Sequence, residues 1–301
     1  MQTNYEHIKI YTLLALCVLF WSANFILGRY LHDALSPITL AFYRWMGVFF
    51  CILPFLIKEF KPIMQALKKD FIYLSILSIL SVSCFNTFLY IGLQDTMATN
   101  ALLINSVFPI LVLVLAFIIL KDKISRYQLL GIASSTVGVV FIVLQGDFQK
   151  ISTFELNRGD LFVMLASLSW AMYSVLLRYK KITLNPLQFL TTTVTIGLIV
   201  LSPFYFIYTD NFAYDWIEVK LHWHFIAFII IFPSILSFLF WNHGILEIGA
   251  EKTGQFTHLM PIFGAILAFI FLNEMPKFYH LLGVVFIFSG IYFSLFLKRK
   301  R

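Results

Sequence analysis

Charge is what this sequence has least of. Only 12% of its 301 residues are Asp, Glu, Lys or Arg, about half the share usual in soluble domains, while 60% are apolar. With a mean hydropathy of +0.87, such a chain cannot hide its apolar surface from water, and an integral membrane protein is expected. Cysteine is nearly missing as well. Cys17, Cys51 and Cys84 all fall inside apolar segments, which argues against a disulfide framework and for buried free thiols. Catalytic signatures are missing too: there is no HExxH, no GxSxG, no Walker loop and no His/Cys cluster with metal-ligand spacing. His222 and His224 come nearest to one and read as a wet helix start. The expectation is a protein that is not an enzyme, holds no cofactor and no metal, and is no primary pump.

What is present is a series of long apolar runs. About twenty apolar residues cross a bilayer, and ten such spans can be drawn at 10–30, 37–57, 71–93, 98–120, 126–144, 159–179, 187–208, 223–244, 252–272 and 278–297. Period-two alternation is missing, so a barrel is not expected. The opening run from Ile10 to Gly28 has one lysine nearby, Lys9, and no small-x-small cleavage pattern; it reads as a retained helix rather than a signal peptide. The net charge of +7 would suggest nucleic acid in a soluble protein. Here it reads as the positive excess of cytoplasmic loops, and no nucleic-acid partner is expected. With the N-terminus inside, sixteen Lys and Arg face the cytoplasm and five face out, with Arg44 inside a span. Both termini are therefore placed in the cytoplasm, with the chain in a bacterial inner membrane.

The chain also writes itself twice. At an offset of 149, Trp21, Arg29, Tyr30, Pro37 and Pro54 meet Trp170, Arg178, Tyr179, Pro186 and Pro203. At an offset of 152, Gly92, Pro109, Phe117, Leu120, Asp122, Gly131 and Gly138 meet Gly244, Pro261, Phe269, Leu272, Glu274, Gly283 and Gly290. Repeats of this kind define the fold. Each half, 1–146 and 147–301, holds five spans, and five is odd, so the second copy must enter the membrane from the opposite side. The fold expected is thus an all-α integral membrane protein of ten transmembrane helices, built as two inverted five-helix repeats. Inverted repeats are the architecture of secondary transporters, with the site near the midplane between the halves.

Four features carry a family resemblance: the tryptophan-led first helix of each half (Trp21, Trp170), Arg44 in the second span, ALLINSVFPILVLVLAFIIL with its partner GQFTHLMPIFGAILAFIFLNE, and QLLGIASSTVGVV with HLLGVVFIFSGIY. Over roughly 9–297 the chain resembles bacterial EamA-type members of the drug/metabolite transporter superfamily. Where those commonly carry a glutamate after the fourth helix, this chain has Asp122 and, in its second half, Glu274. The resemblance implies transport of amino acids, other metabolites, nucleotide sugars or drugs, without choosing among them.

Polar residues inside spans are costly and are functional candidates by default. Arg44 lies about 10 Å into its span at 1.5 Å per residue, where its fork could grip an anionic group or instead cap backbone carbonyls. Its counterpart in the second half is Thr193. Trp21 and Asn24 share one helix face, and Trp170 and Tyr173 repeat it; cavity lining is the preferred reading over core packing. Asn86, Tyr90, Asn100, Asn105, Trp241, His243, Gln255 and His258 complete the candidates, with interhelical hydrogen bonding as the plainer alternative. Pro109 and Pro261 are expected to bend the fourth and ninth helices beside the cavity. His243 or His258 could carry a coupling proton, although a neutral hydrogen-bonding role is the better reading. Arg29 and Arg178 read as helix-end anchors on opposite surfaces. Gly131, Ser135, Gly138, Gly283 and Gly290 suit close helix packing.

The preferred function is export of amino acids or related small metabolites by alternating access. Its partners would be a small-molecule substrate and the lipid bilayer, with a proton as the candidate coupling ion. Import of a nucleotide-like or vitamin-like solute stands behind it. A membrane enzyme or a non-transporting scaffold is the rival from another class, and the oligomeric state is left as monomer or homodimer.

Overall fold

The computed structural model describes residues 2–147, 149, 157–209, 211–272 and 277–296. Among them there is no strand. The main helices are α1 (Gln2–Tyr30), α2 (Pro37–Lys58), α3 (Phe60–Asp95), α4 (98–120), α5 (Arg126–Val143), α6 (Arg158–Tyr179), α7 (Pro186–Tyr208), α8 (Trp223–Ile248), α9 (250–272) and α10 (Phe278–Phe296). Glu274, Lys150 and the basic tail Lys298 to Arg301 lie outside the described residues.

Local chemistry sets several of the helix starts. Ser36 accepts from the Thr39 amide, with Pro37 opening α2. Ser125 with Gln128, Asn157 with Asp160, and Asn185 with Gln188 form capping boxes on α5, α6 and α7. Each cap marks where an apolar run enters the bilayer, since the first amides of a helix have no partner inside it.

Nine helices among the described residues are long and apolar enough to cross a membrane. The segment expected as the ninth of ten spans, 252–272, is present but broken. It runs as Ala250–Gln255, a 3₁₀ turn Phe256–Leu259 and Met260–Leu272, so no unbroken piece reaches a spanning length. The cause is Pro261, which has no amide hydrogen for the carbonyl four residues back. Pro109 does the same in α4, which stops at Asn105 and restarts at Phe108. Both breaks precede their proline by a few residues, as the missing bond requires.

Two further irregularities occupy equivalent places. α3 widens to a π-helix at Ile79–Cys84 and α8 at Ile230–Leu236 around Pro233. They superpose at the 152-residue offset, and nothing in the apolar pattern foretells them. Such bulges expose carbonyls to side chains.

Packing follows the duplication. α1 lies on α8, and its counterpart α6 lies on α3; α1 also packs on α9, and α6 on α4; α2 pairs with α7, and α5 with α10. Replacing each helix by the one five along returns the same set of neighbours. The tightest approach is α5 on α10. A Cβ added at Gly131 would sit 2.6 Å from the Gly290 carbonyl oxygen, and one at Gly138 2.6 Å from that of Gly283. Outside the bundle lie exposed apolar side chains such as Ile57, Ile72 and Ile207, the surface a bilayer covers.

Candidate functional site

The centre of the molecule is aromatic. Trp21 meets Trp170 edge to face with ring centroids 5.2 Å apart, and Trp241 lies 4.8 Å from Trp21. Phe85, Tyr173 and Phe238 pack round Trp170. Trp21 donates its indole hydrogen to the Pro233 carbonyl at 3.2 Å, Trp241 to Ser174 Oγ at 3.0 Å, and Tyr173 its hydroxyl to Asn242 at 2.7 Å. Trp170 Nε1 is buried and has no partner among the described residues. Beside these rings lies a narrow cavity with room for about one water. Its lining is paired: Trp21 with Trp170, Asn105 with Thr257 and Phe108 with Met260 are equivalent positions of the two halves, joined by Phe25 and Phe85.

A polar cluster stands next to it. Arg44 is 1% exposed. Its Nε donates to Ser234 Oγ at 2.7 Å, and Nη1 donates to Asn24 Oδ1 at 3.2 Å and to Tyr90 Oη at 2.9 Å. Nη2 donates to the Pro233 carbonyl at 3.2 Å, so one of its five hydrogens is left over. Tyr90 in turn donates to Asn24 Oδ1 at 3.0 Å. Every partner is neutral, and no carboxylate among the described residues pairs with this guanidinium. Arg44 therefore ties α1, α2, α3 and α8 together while its charge goes unanswered. Thr193, its counterpart, bonds back to the Phe189 and Leu190 carbonyls.

The other candidates fall in different places. Asn105 bridges Ser167 and Met260 at the cavity wall. His258 bonds Ser135 and the Ser106 carbonyl at the two helix breaks. Asn86 reaches the Ser81 carbonyl, and its Oδ1, like Gln255 Oε1, is buried without a partner among the described residues. His243 and Asn100 are half-buried. Among the described residues no group of three or more His, Cys, Asp or Glu side chains could hold a metal. Pro233 and Ser234 are the polar partners missed from sequence; a proline inside the eighth apolar run was the available signal. Ser106 and Ser135 were hidden as ordinary small residues.

The helix-end arginines differ. Arg29 donates to the Leu93 and Gln94 carbonyls, both at 2.7 Å, and caps α3. Arg178 joins the halves, with Nη1 3.1 Å from Asp122 and 3.0 Å from Glu251. Lys180 with Asp70 adds a second ion pair between the halves. The opposite end is tied by Thr96 to Asp160 at 2.8 Å and Thr39 to Asp215 at 3.2 Å.

Two successive copies of one family model, the EamA-like transporter family, match residues 8–144 and 157–296. The chain belongs to the EamA-like transporter family. Among its EamA-like relatives, the uncharacterized transporter YyaM of Bacillus subtilis (strain 168) is 31% identical over 287 residues, covering 95% of this chain and 93% of the relative. An uncharacterized transporter of Archaeoglobus fulgidus is 27% identical over 294 residues, covering 95% and 97%. A protein crystal structure superposes with a TM-score of 0.72 at 12% identity, covering 95% of this chain and 96% of the other, which speaks for the fold alone. This EamA-like chain is thus an integral membrane protein of a transporter family, and its relatives are named as transporters.

Proposed function

We propose that the chain is a secondary carrier that exports amino acids or related small metabolites across the cytoplasmic membrane by alternating access. The observation that carries this is the paired lining of the central cavity. Trp21 and Trp170, Asn105 and Thr257, and Phe108 and Met260 face one gap from both halves, as a site on the interface between repeats should. Inversion of the halves is supported by the glycines. Gly131 meets Gly290 while Gly138 meets Gly283, so the equivalent helices α5 and α10 run antiparallel. An operation that reverses helix direction turns one copy over in the membrane. On this reading α9 is the tenth spanning element, broken at the site.

The solute class follows from the lining. Aromatic faces accept flat or amphipathic solutes, and an unanswered guanidinium beside them favours a carboxylate. An aromatic stack also suits import of a nucleotide-like solute, the second reading. Counterflow in proteoliposomes with labelled amino acids, nucleosides and drugs, with and without a pH gradient, separates the two. Amino acids are expected to exchange and nucleosides not; silence across the whole panel from folded protein would end the carrier reading. The Lys and Arg bias supports both termini in the cytoplasm. A tag at either terminus is expected to be labelled in inside-out vesicles only; labelling in intact spheroplasts reverses the orientation.

A further inference from the structure

The two broken helices are hydrogen-bonded at their breaks by a histidine. Pro109 leaves the Asn105 carbonyl without its helical donor. One residue on, the Ile110 amide bonds Val107 O at 3.0 Å, which leaves the Ser106 carbonyl free to accept from His258 Nε2 at 3.0 Å. Ser106 and His258 are themselves equivalent positions, 152 apart, so the contact links the halves where α4 crosses α9. On the other side of the ring, Nδ1 is 2.5 Å from Ser135 Oγ of α5. His258 is wholly buried.

The protons can be counted. A carbonyl only accepts, so Nε2 carries a hydrogen. A bare Nδ1 accepts from the Ser135 hydroxyl. A protonated Nδ1 donates to Ser135 Oγ, whose own hydrogen turns to the Gly131 carbonyl at 2.7 Å or that of Ile132 at 3.2 Å. Either state leaves the ring nitrogens and the Ser135 hydroxyl partnered. Among the described residues no carboxylate is hydrogen-bonded or ion-paired to the ring. On α9, Glu251 and Lys252 stand before the turn, with Glu251 held by Arg178. On α1, Glu6, His7, Lys9 and Arg29 lie towards the ends, and Tyr11, stacked on His7, packs on Phe256. α4 has no charged side chain; on α5, Arg126 and Tyr127 open the helix and pair with each other. On α10, Tyr279 and His280 lie at the start and Tyr292 is exposed. A charged ring in this packing would be a buried charge among neutral groups, which is costly.

We infer that His258 is a proton-binding switch: the neutral ring clamps α4 to α9, and a proton arriving on Nδ1 drives the crossing open to water. The sign follows from burial. The packed crossing excludes the charged ring, so low pH shifts the population towards hydrated conformers and high pH restores the clamp. In the carrier reading this is the coupling-ion site; the switch itself stands without any solute.

Hydrogen exchange of wild-type protein in lipid nanodiscs, corrected for intrinsic rate, tests it without substrate. Between about pH 8 and about pH 5, exchange at 104–110 and 256–262 is expected to rise roughly tenfold. In His258→Gln the amide can keep both bonds but cannot titrate, and the rise should vanish. A flat wild-type profile, or the same rise in the variant, overturns the switch. If His258→Gln does not fold, ¹⁵N spectra of the wild-type ring decide. Nδ1 should gain its hydrogen over the window in which the crossing opens; a ring that stays bare while it opens removes His258 from the mechanism. Absence of counterflow would overturn the carrier and leave this result untouched.

Discussion

Arg44→Met should leave the protein folded yet lower transport of carboxylate-bearing solutes by roughly 100-fold. The expectation rests on what the neighbours do without the guanidinium. Tyr90 still donates to Asn24, Ser234 still donates to the Ile229 carbonyl at 2.7 Å, and the Pro233 carbonyl keeps the Trp21 indole. No buried group is orphaned, and methionine fills a similar volume. A lone charge in a low-dielectric interior costs several kcal/mol, so its loss should hold or raise the thermal midpoint. The charge is therefore not there for stability. On the proposed carrier reading, its work would be the field it projects towards the cavity and the one hydrogen it has left to give. Arg44→Lys should recover part of the rate as a point charge without the fork. The combination that would sink this reading is a lowered midpoint with transport intact, which would make Arg44 a structural tie only.

Gly138→Leu is expected to cost about 3 kcal/mol or more of folding stability, read as lost monodisperse protein and a lower midpoint in detergent. The obstacle to a side chain there is backbone: the Gly283 carbonyl lies 2.6 Å from where even a Cβ would sit. A carbonyl in a packed helix cannot swing aside as a rotamer does, so α5 and α10 would have to part along their length. Gly264→Ala is the control. Its Cβ would meet only Leu102 Cδ1, at 3.3 Å, a side-chain tip that can yield. Equal losses from both substitutions would mean that the α5–α10 contact has no special role.

These two sites mark how far the sequence could be read. The offsets of 149 and 152 aligned the glycines, so the close α5–α10 approach was foreseeable from spacing; the family came from the resemblance carried by Trp21, Trp170, Arg44 and the paired motifs. Pro109 and Pro261 named the right two helices, and the breaks lie where a missing amide hydrogen puts them. The repeat also aligned Trp21 with Trp170 without revealing that they touch, because equivalence says nothing about distance from the pseudo-symmetry axis. Arg44 was legible as a buried charge; its partners were not. Ser234 and Pro233 lie 190 and 189 residues away, in a π-helical stretch that no local periodicity encodes. The serines that hold His258 were invisible for the same reason: a hydroxyl on an apolar helix acquires meaning only from what crosses it.

The ties between the halves differ at the two ends of the bundle. At one, Arg178 holds Asp122 and Lys180 holds Asp70; at the other, two threonine hydroxyls reach Asp160 and Asp215. Two copies of one fold, bound alike at both mouths, would open either way with equal ease. These copies are not. Dissolved salt screens full charges far more than it weakens a hydroxyl bond, so ionic strength loosens one mouth and spares the other. If the halves alternate as proposed, the duplicated architecture would supply two near-degenerate states, and the unlike clasps would break that degeneracy, giving the molecule a preferred resting face that its surroundings can tune.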